Sequence, residues 1–268
     1  MSKNKNSETN TTKSVQFSRK QLLFLVQFAV LLALEALFCF TPLGSIPIGP
    51  VVATLAMIPV IVTSLALGAW AGTAMGFFAG LFSFIVNSFT FVTPTSFMFT
   101  PLVNVYGSEH GNPLSLIICF VPRILAGLFP ALFFAAYKKA TASRIEKMHK
   151  KATAESTRSD AEKRAAASRK TAVNSIIGYT ISGLISSVTN TVGVLGLTWI
   201  IFGNYFATNP DLALGSFGAA LPAAIGFTVL TNGIPEAIVA AVVTYAICKP
   251  ILKFIQKKDL PAFTSDLF

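Results

Sequence analysis

The sequence predicts an all-α integral membrane bundle of six transmembrane helices with both termini cytoplasmic, and three observations carry that reading. The first is composition: 53% of the 268 residues are hydrophobic and only 12% are charged, a balance that excludes an ordinary soluble domain. The second is the presence of six apolar runs, at 22–40, 50–67, 69–88, 114–137, 172–202 and 218–248, most of them near the roughly 20 residues a spanning helix needs. The third is where the 21 Lys and Arg fall. An even number of spans puts both termini on one side. Five basic residues then lie in the N-terminal tail, eleven in the segment between the fourth and fifth spans and four in the C-terminal tail, all on that same side. The three loops on the other side, 41–50, 89–113 and 203–217, hold none. Basic residues mark the cytoplasmic face, so the net charge of +10 reports topology in a cell membrane.

Taken in order, residues 1–20 form a polar, disordered cytoplasmic tail. The membrane domain covers 21–249. Its first run is too long for a signal-peptide core and no small-x-small site follows it, so it is read as a retained span. This span carries Ala29, Ala33 and Ala36. Small residues four apart leave a groove that another helix can approach closely. The stretch TPLGSIPIGP (41–50) reads as a turn into the second span, where Pro59 is expected to cause a bend. Gly68, Gly72, Gly76 and Gly80 repeat at spacing four into the third span and give one helix face without side chains. Residues 89–113 form a long aromatic connection of the kind that serves as a binding loop. Residues 138–170 are a basic cytoplasmic insert, read as a solvated helix or helical hairpin suited to contact with anionic lipid heads. Residues 250–268 are a second cytoplasmic tail. No polar segment is long enough to make a separate soluble domain.

Arg123 stands out. It is the one Lys or Arg inside a span, where a cation costs roughly 3 kcal/mol or more at the helix centre. It therefore needs an anionic partner, a water-filled cavity or an anionic ligand. In the expected topology the other large polar side chains lie from the midplane outward. Glu35 and Asn87 are near the outer ends of spans one and three. Asn190 is mid-span in the fifth with Trp199 beyond it, and Asn232 and Glu236 are mid-span in the sixth. That distribution describes a site open to the outside. Plain structural roles stand beside it: Arg123 in an ion pair with Glu35 or Glu236, the asparagines as hydrogen-bond links between helices, and Trp199 and Tyr106 as interfacial belt residues.

Catalytic signatures are absent. His110 and His149 fall in a loop and in the insert on opposite sides, and there is no HExxH, no cysteine cluster, no GxSxG and no P-loop. No metal site, cofactor or enzymatic activity is expected. Cys39, Cys119 and Cys248 lie in or at the ends of spans, without CxxC spacing, and read as apolar packing residues. The insert has no aromatic interleaving, so nucleic acid is not an expected partner.

Several stretches together resemble a known family. Ala29-x-x-x-Ala33, GPVVATLAMIPVIVTSLALGAWAGTAMGFFAGLFS (49–83), SSVTNTVGVLG (186–196) and NGIPEAIVAAVV (232–243) are similar to the substrate-binding S components of energy-coupling factor (ECF) vitamin transporters, with the pantothenate-type members the nearest pattern. The resemblance implies a subunit that captures a water-soluble vitamin at its outer face. It also implies a transmembrane coupling subunit docking on Ala29 and Ala33, and two cytoplasmic ATPases supplying energy. Pantothenate is the implied ligand, its carboxylate on Arg123 and its amide and hydroxyls on Asn87, Asn190 and Asn232, with Glu236, Trp199 and Tyr106 completing the site. Riboflavin or folate is the alternative within the class. A structural or assembly membrane protein without a ligand is the alternative outside it.

Overall fold

A computed structural model describes residues 19–48, 51–93, 95–105, 109–154, 160–208, 226 and 229–257. Tyr106, most of the tail 1–20, positions 155–159 of the insert, most of the 203–217 loop, the first part of the expected sixth span and the end of the C-terminal tail lie outside these residues. The described chain is helical apart from one hairpin. Helix α1 is Arg19–Phe40, α2 Met57–Leu67, α3 Ala69–Ile85, α4 Ser115–Ala154, α5 Asp160–Thr208 and α6 Ile234–Lys257. Five helices are long and apolar enough to cross a membrane: α1, α3 with the turn that follows it, α4, α5, and α6 with the turn that precedes it. The helices α4 and α5 continue into the insert, to Ala154 and from Asp160.

The second expected span is where sequence and structure differ most. Its first part, together with the expected turn before it, is a hairpin: β1 (Ser45–Ile48) pairs antiparallel with β2 (Val51–Thr54), Ser45 opposite Thr54 and Ile48 opposite Val51. The β-branched residues of SIPI and VVAT suit strands, but a short apolar run looks the same in a strand and a buried helix. The Leu55 amide donates to the Gly44 carbonyl at 2.9 Å and closes the base of the hairpin. That leaves α2 only 11 residues, about 16 Å at 1.5 Å per residue, roughly half of a bilayer core. Pro59 does not bend it. It sits third in the helix, in the first turn, where no intrahelical amide bond exists to lose.

Short as it is, α2 is the centre of the core. Val60, Ile61, Val62 and Leu65 are buried and pack with Met75 and Ala79 of α3, Ala126 and Phe134 of α4, Tyr179 of α5 and Ala240 of α6. By contrast α1 lies at the periphery, with Leu22, Leu25, Val26, Val30, Leu34 and Leu37 all exposed.

The glycine ladder has two jobs. Gly68 has φ of 96°, a left-handed value that suits glycine, and it separates α2 from α3. Gly72, Gly76 and Gly80 face α4. A Cβ on Gly72 would strike the Gly127 carbonyl, one on Gly127 the Gly72 carbonyl, one on Gly76 the Arg123 carbonyl, and one on Gly80 the Phe120 ring. The helices α3 and α4 therefore meet backbone to backbone, and Cys119 Sγ adds a hydrogen bond to the Gly80 carbonyl at 3.2 Å.

Helix α4 also contains Pro122 and Pro130. Each lacks the N–H that would bond four residues back, which frees the carbonyls of Ile118 and Ala126. Both are taken by side chains. Ser186 Oγ of α5 donates to the Ala126 carbonyl at 2.8 Å, which ties the two helices together. The Ile118 carbonyl is reached by Arg123, as described next.

Candidate functional site

Arg123 is half-buried on α4. Its Nη1 donates to the Cys119 carbonyl at 2.7 Å and, more weakly, to the Ile118 carbonyl freed by Pro122 at 3.5 Å. The Phe99 ring lies over the guanidinium, 5.3 Å from its centroid, within cation–π range. Proline one residue before the arginine thus opens an acceptor on the helix, and the side chain folds back along its own helix to use it. The guanidinium carries five donors. Among the described residues all its hydrogen bonds start from Nη1.

Two buried carboxyl groups lie within electrostatic reach of Arg123, Glu35 of α1 and Glu236 of α6. Glu35 is 1% exposed, the one fully buried position among the described side chains of α1. Its Oε1 accepts from Cys39 Sγ at 3.4 Å, and its Oε2 has no partner. Glu236 is 7% exposed, with Oε1 unpartnered. Asn190 and Ser187 of α5 lie against the Glu236 carboxyl, yet Asn190 Oδ1 and Ser187 Oγ are buried without a hydrogen bond of ordinary geometry. Arg123, Glu35, Asn190 and Glu236 therefore gather from four helices around one region.

The remaining expected site residues are placed differently. Asn87 lies in a π-helical turn, Val86–Thr90, at the end of α3. Its Nδ2 donates to the Ser83 carbonyl at 2.8 Å and its Oδ1 accepts from Ser96 Oγ at 3.1 Å, so its amide holds the 91–105 loop. Thr93 N–H donates to Ser96 Oγ at 2.9 Å and Ser88 Oγ to Thr100 Oγ1 at 2.7 Å in the same network. The loop is further anchored by Phe97, 1% exposed and packed edge-on against Phe202 of α5 at 5.2 Å, while Ser115 Oγ donates to its carbonyl at 2.6 Å. This anchoring is what sets Phe99 over Arg123. Asn232 lies in a second π turn, Val229–Gly233, which leads into α6. Single π turns recur at functional sites, and here both hold an expected site asparagine. Trp199 is 46% exposed, as are its neighbours Val192 and Ile200 to a greater degree. Ala29 and Ala33 are both exposed on α1.

Sequence reasoning did not place Phe99 or Ser187 in the site. Phe99 is one of 24 phenylalanines and Ser187 one of several span serines, and only the fold separates them from the rest. Glu35 stood out in sequence as a carboxylate within an apolar span, but only as a counter-charge.

Over residues 23–248 the sequence matches the family of ECF transporter substrate-specific components. The chain belongs to this family. A relative of this S component is the pantothenic acid transporter PanT of Lactococcus lactis subsp. cremoris (strain MG1363), 30% identical over 204 residues, which cover 76% of this chain and 80% of that protein. Among solved structures, ThiT from a Listeria monocytogenes serovar aligns over 89% of this chain and 97% of its own, with 16% identity and a TM-score of 0.48. The S component is the membrane-embedded, substrate-specific part of a transporter, and its five long apolar helices agree with that setting.

Proposed function

We propose that this S component captures pantothenate, with the ligand carboxylate on Arg123. The observation that carries the reading is the state of that side chain. It is fixed by Nη1 to its own helix, stacked on Phe99, and its other donors make no bonds within the described chain. A planar guanidinium suits a bidentate carboxylate. Asn190 of α5, Asn232 of the turn before α6 and Glu236 of α6 are assigned to the amide and hydroxyl groups, while Asn87, Trp199 and Tyr106 are assigned to the margin of the site. The 30% identity to a pantothenic acid transporter supports the choice of vitamin.

In the same reading both termini and the insert are cytoplasmic, the 91–105 loop and the hairpin face outward, and the chain performs no catalysis itself. A coupling subunit docks on the exposed Ala29–Ala33 face of α1, and two ATPases of the ECF module supply the energy.

The test is thermal unfolding of the detergent-purified chain with pantothenate, riboflavin, folate, thiamine and biotin. A ligand that binds only the folded state at about 100 times its Kd adds roughly 2.7 kcal/mol. A shift with pantothenate alone, lost in Arg123→Ala, is expected. Truncating one partner of a buried charge pair costs roughly 2–5 kcal/mol, so Arg123→Ala is expected to lose about 30-fold or more in affinity. A shift with another vitamin overturns the ligand and keeps the class. An Arg123→Ala protein that unfolds without having bound any vitamin favours an arginine that only balances Glu35 and Glu236.

A further inference from the structure

The Arg123 end of the site supplies hydrogen-bond donors. The α5–α6 side supplies the reverse. Glu236 Oε1, Asn190 Oδ1 and Ser187 Oγ are all buried and unpartnered, and Asn190 and Ser187 both lie against the Glu236 carboxyl. A buried acceptor without a donor is costly, and such groups are rare in folded proteins. Here three occur together, on residues that are 0% exposed for Ser187 and 7% for Glu236. The Ser187 hydroxyl and the Asn190 amide face the Glu236 carboxyl as donors, but neither reaches it with ordinary geometry, and Glu236 Oε1 and Asn190 Oδ1 stay without a donor among the described residues. Ser186, the adjacent hydroxyl, is already committed to the Ala126 carbonyl at 2.8 Å. Arg123, the cation that reaches Glu236 electrostatically, has its bonded nitrogen on Cys119 and Ile118. Ligand hydroxyl groups are one source of the missing donors.

We propose that Ser187, Asn190 and Glu236 form a hydroxyl-reading subsite, which accepts hydrogen bonds from ligand O–H groups while Arg123 holds the carboxylate. The inference rests on the pantothenate reading and deepens it. It assigns the two ends of the ligand to two sides of the bundle: the carboxylate to α4 and the hydroxyl-bearing acyl end to α5 and α6. It also makes Ser187 a ligand contact and Glu236 a determinant of specificity, because a site built to bond a hydroxyl rejects an analogue without one far more strongly than an apolar pocket does.

The experiment is calorimetric titration of the full-length detergent-purified protein with pantothenate and with N-(3,3-dimethylbutanoyl)-β-alanine, which keeps the acyl carbon skeleton, amide and carboxylate but has no hydroxyl. The unaltered protein is expected to bind the hydroxyl-free compound roughly 100-fold or more weakly, its Kd read by competition against pantothenate. Glu236→Gln is expected to weaken pantothenate by roughly 10- to 100-fold, as for a lost charge-assisted hydrogen bond, and to leave the hydroxyl-free compound within about threefold. Ser187→Ala, a smaller change, should move the same way by less. If Glu236→Gln and Ser187→Ala weaken both compounds equally, the residues only maintain structure and the proposal fails. If the unaltered protein binds both compounds equally well, water satisfies these acceptors and the proposal fails. If it binds no pantothenate, the parent reading fails first and this one with it.

Discussion

Helices α1 and α3 both carry small residues four apart, and they use them in opposite ways. Gly72, Gly76 and Gly80 of α3 lie against the α4 backbone, where any Cβ would collide with Gly127, Arg123 or Phe120. Ala29 and Ala33 of α1 are exposed, on a helix whose apolar side chains are mostly exposed as well. The difference is one of contact distance. Glycine at each step lets two backbones touch inside one chain. Alanine keeps a methyl at each step, which leaves a shallower groove on a face that the described residues do not fill. One ladder fixes α4 in place. In the proposed function the other is left for a partner.

The largest effect that could break this contrast is expected at Gly76. Gly76→Val places a branched side chain against the Arg123 carbonyl, and overpacking of this kind costs about 3 kcal/mol. A detergent melt should show the loss in full and pantothenate binding should disappear with it. Ala33→Val, the matched change on α1, is expected within about 0.5 kcal/mol of the unaltered protein, as for a surface position. Equal losses would mean that α1 is packed more like α3 than its exposure indicates.

A middle-sized effect sharpens the α1 side. Ala33→Leu fills the groove, and uptake by cells that carry the complete transporter is expected to fall about tenfold, which is 1.4 kcal/mol, while purified Ala33→Leu protein binds pantothenate normally. Unchanged uptake would place the docking surface elsewhere.

The smallest effect separates the two prolines of α4. Ser186→Ala removes the donor on the Ala126 carbonyl and is expected to cost about 1 kcal/mol. In a Pro130→Ala background the restored backbone N–H can serve that carbonyl, so the same serine change should cost about half as much. A double-mutant cycle on melting temperature measures the coupling. Additive losses would mean that Ser186 acts independently of Pro130.

The sequence made the membrane class legible because charge and apolarity are separated along it: the spans hold a single cation, Arg123, and two carboxylates, Glu35 and Glu236. Glu236 and Asn190 were legible for the same reason, as polar groups that lipid would not tolerate. The hairpin was not. Pro and Gly marked a turn before position 51, but Val51–Thr54 is a short apolar, β-branched run, and nothing local distinguishes a strand there from the start of a helix. The work of Asn87 was also hidden, since its partner Ser96 is in the following loop and the bond between them depends on how that loop returns. Pro122 and Pro130 were visible as letters, but the side chains that take up their freed carbonyls are set by packing. Arg123 is one residue away from Pro122, and Ser186 is 56 away from Pro130.

The tether of Arg123 to its own helix also bears on the entropy of binding. A long arginine side chain free in a cavity has roughly 2 kcal/mol of rotamer freedom to lose when it grips a ligand. With Nη1 held by the Cys119 carbonyl at 2.7 Å and Phe99 stacked above, much of that freedom is lost when the protein folds. The guanidinium is ordered before a ligand arrives, and preorganisation of this kind favours tight capture from dilute solution.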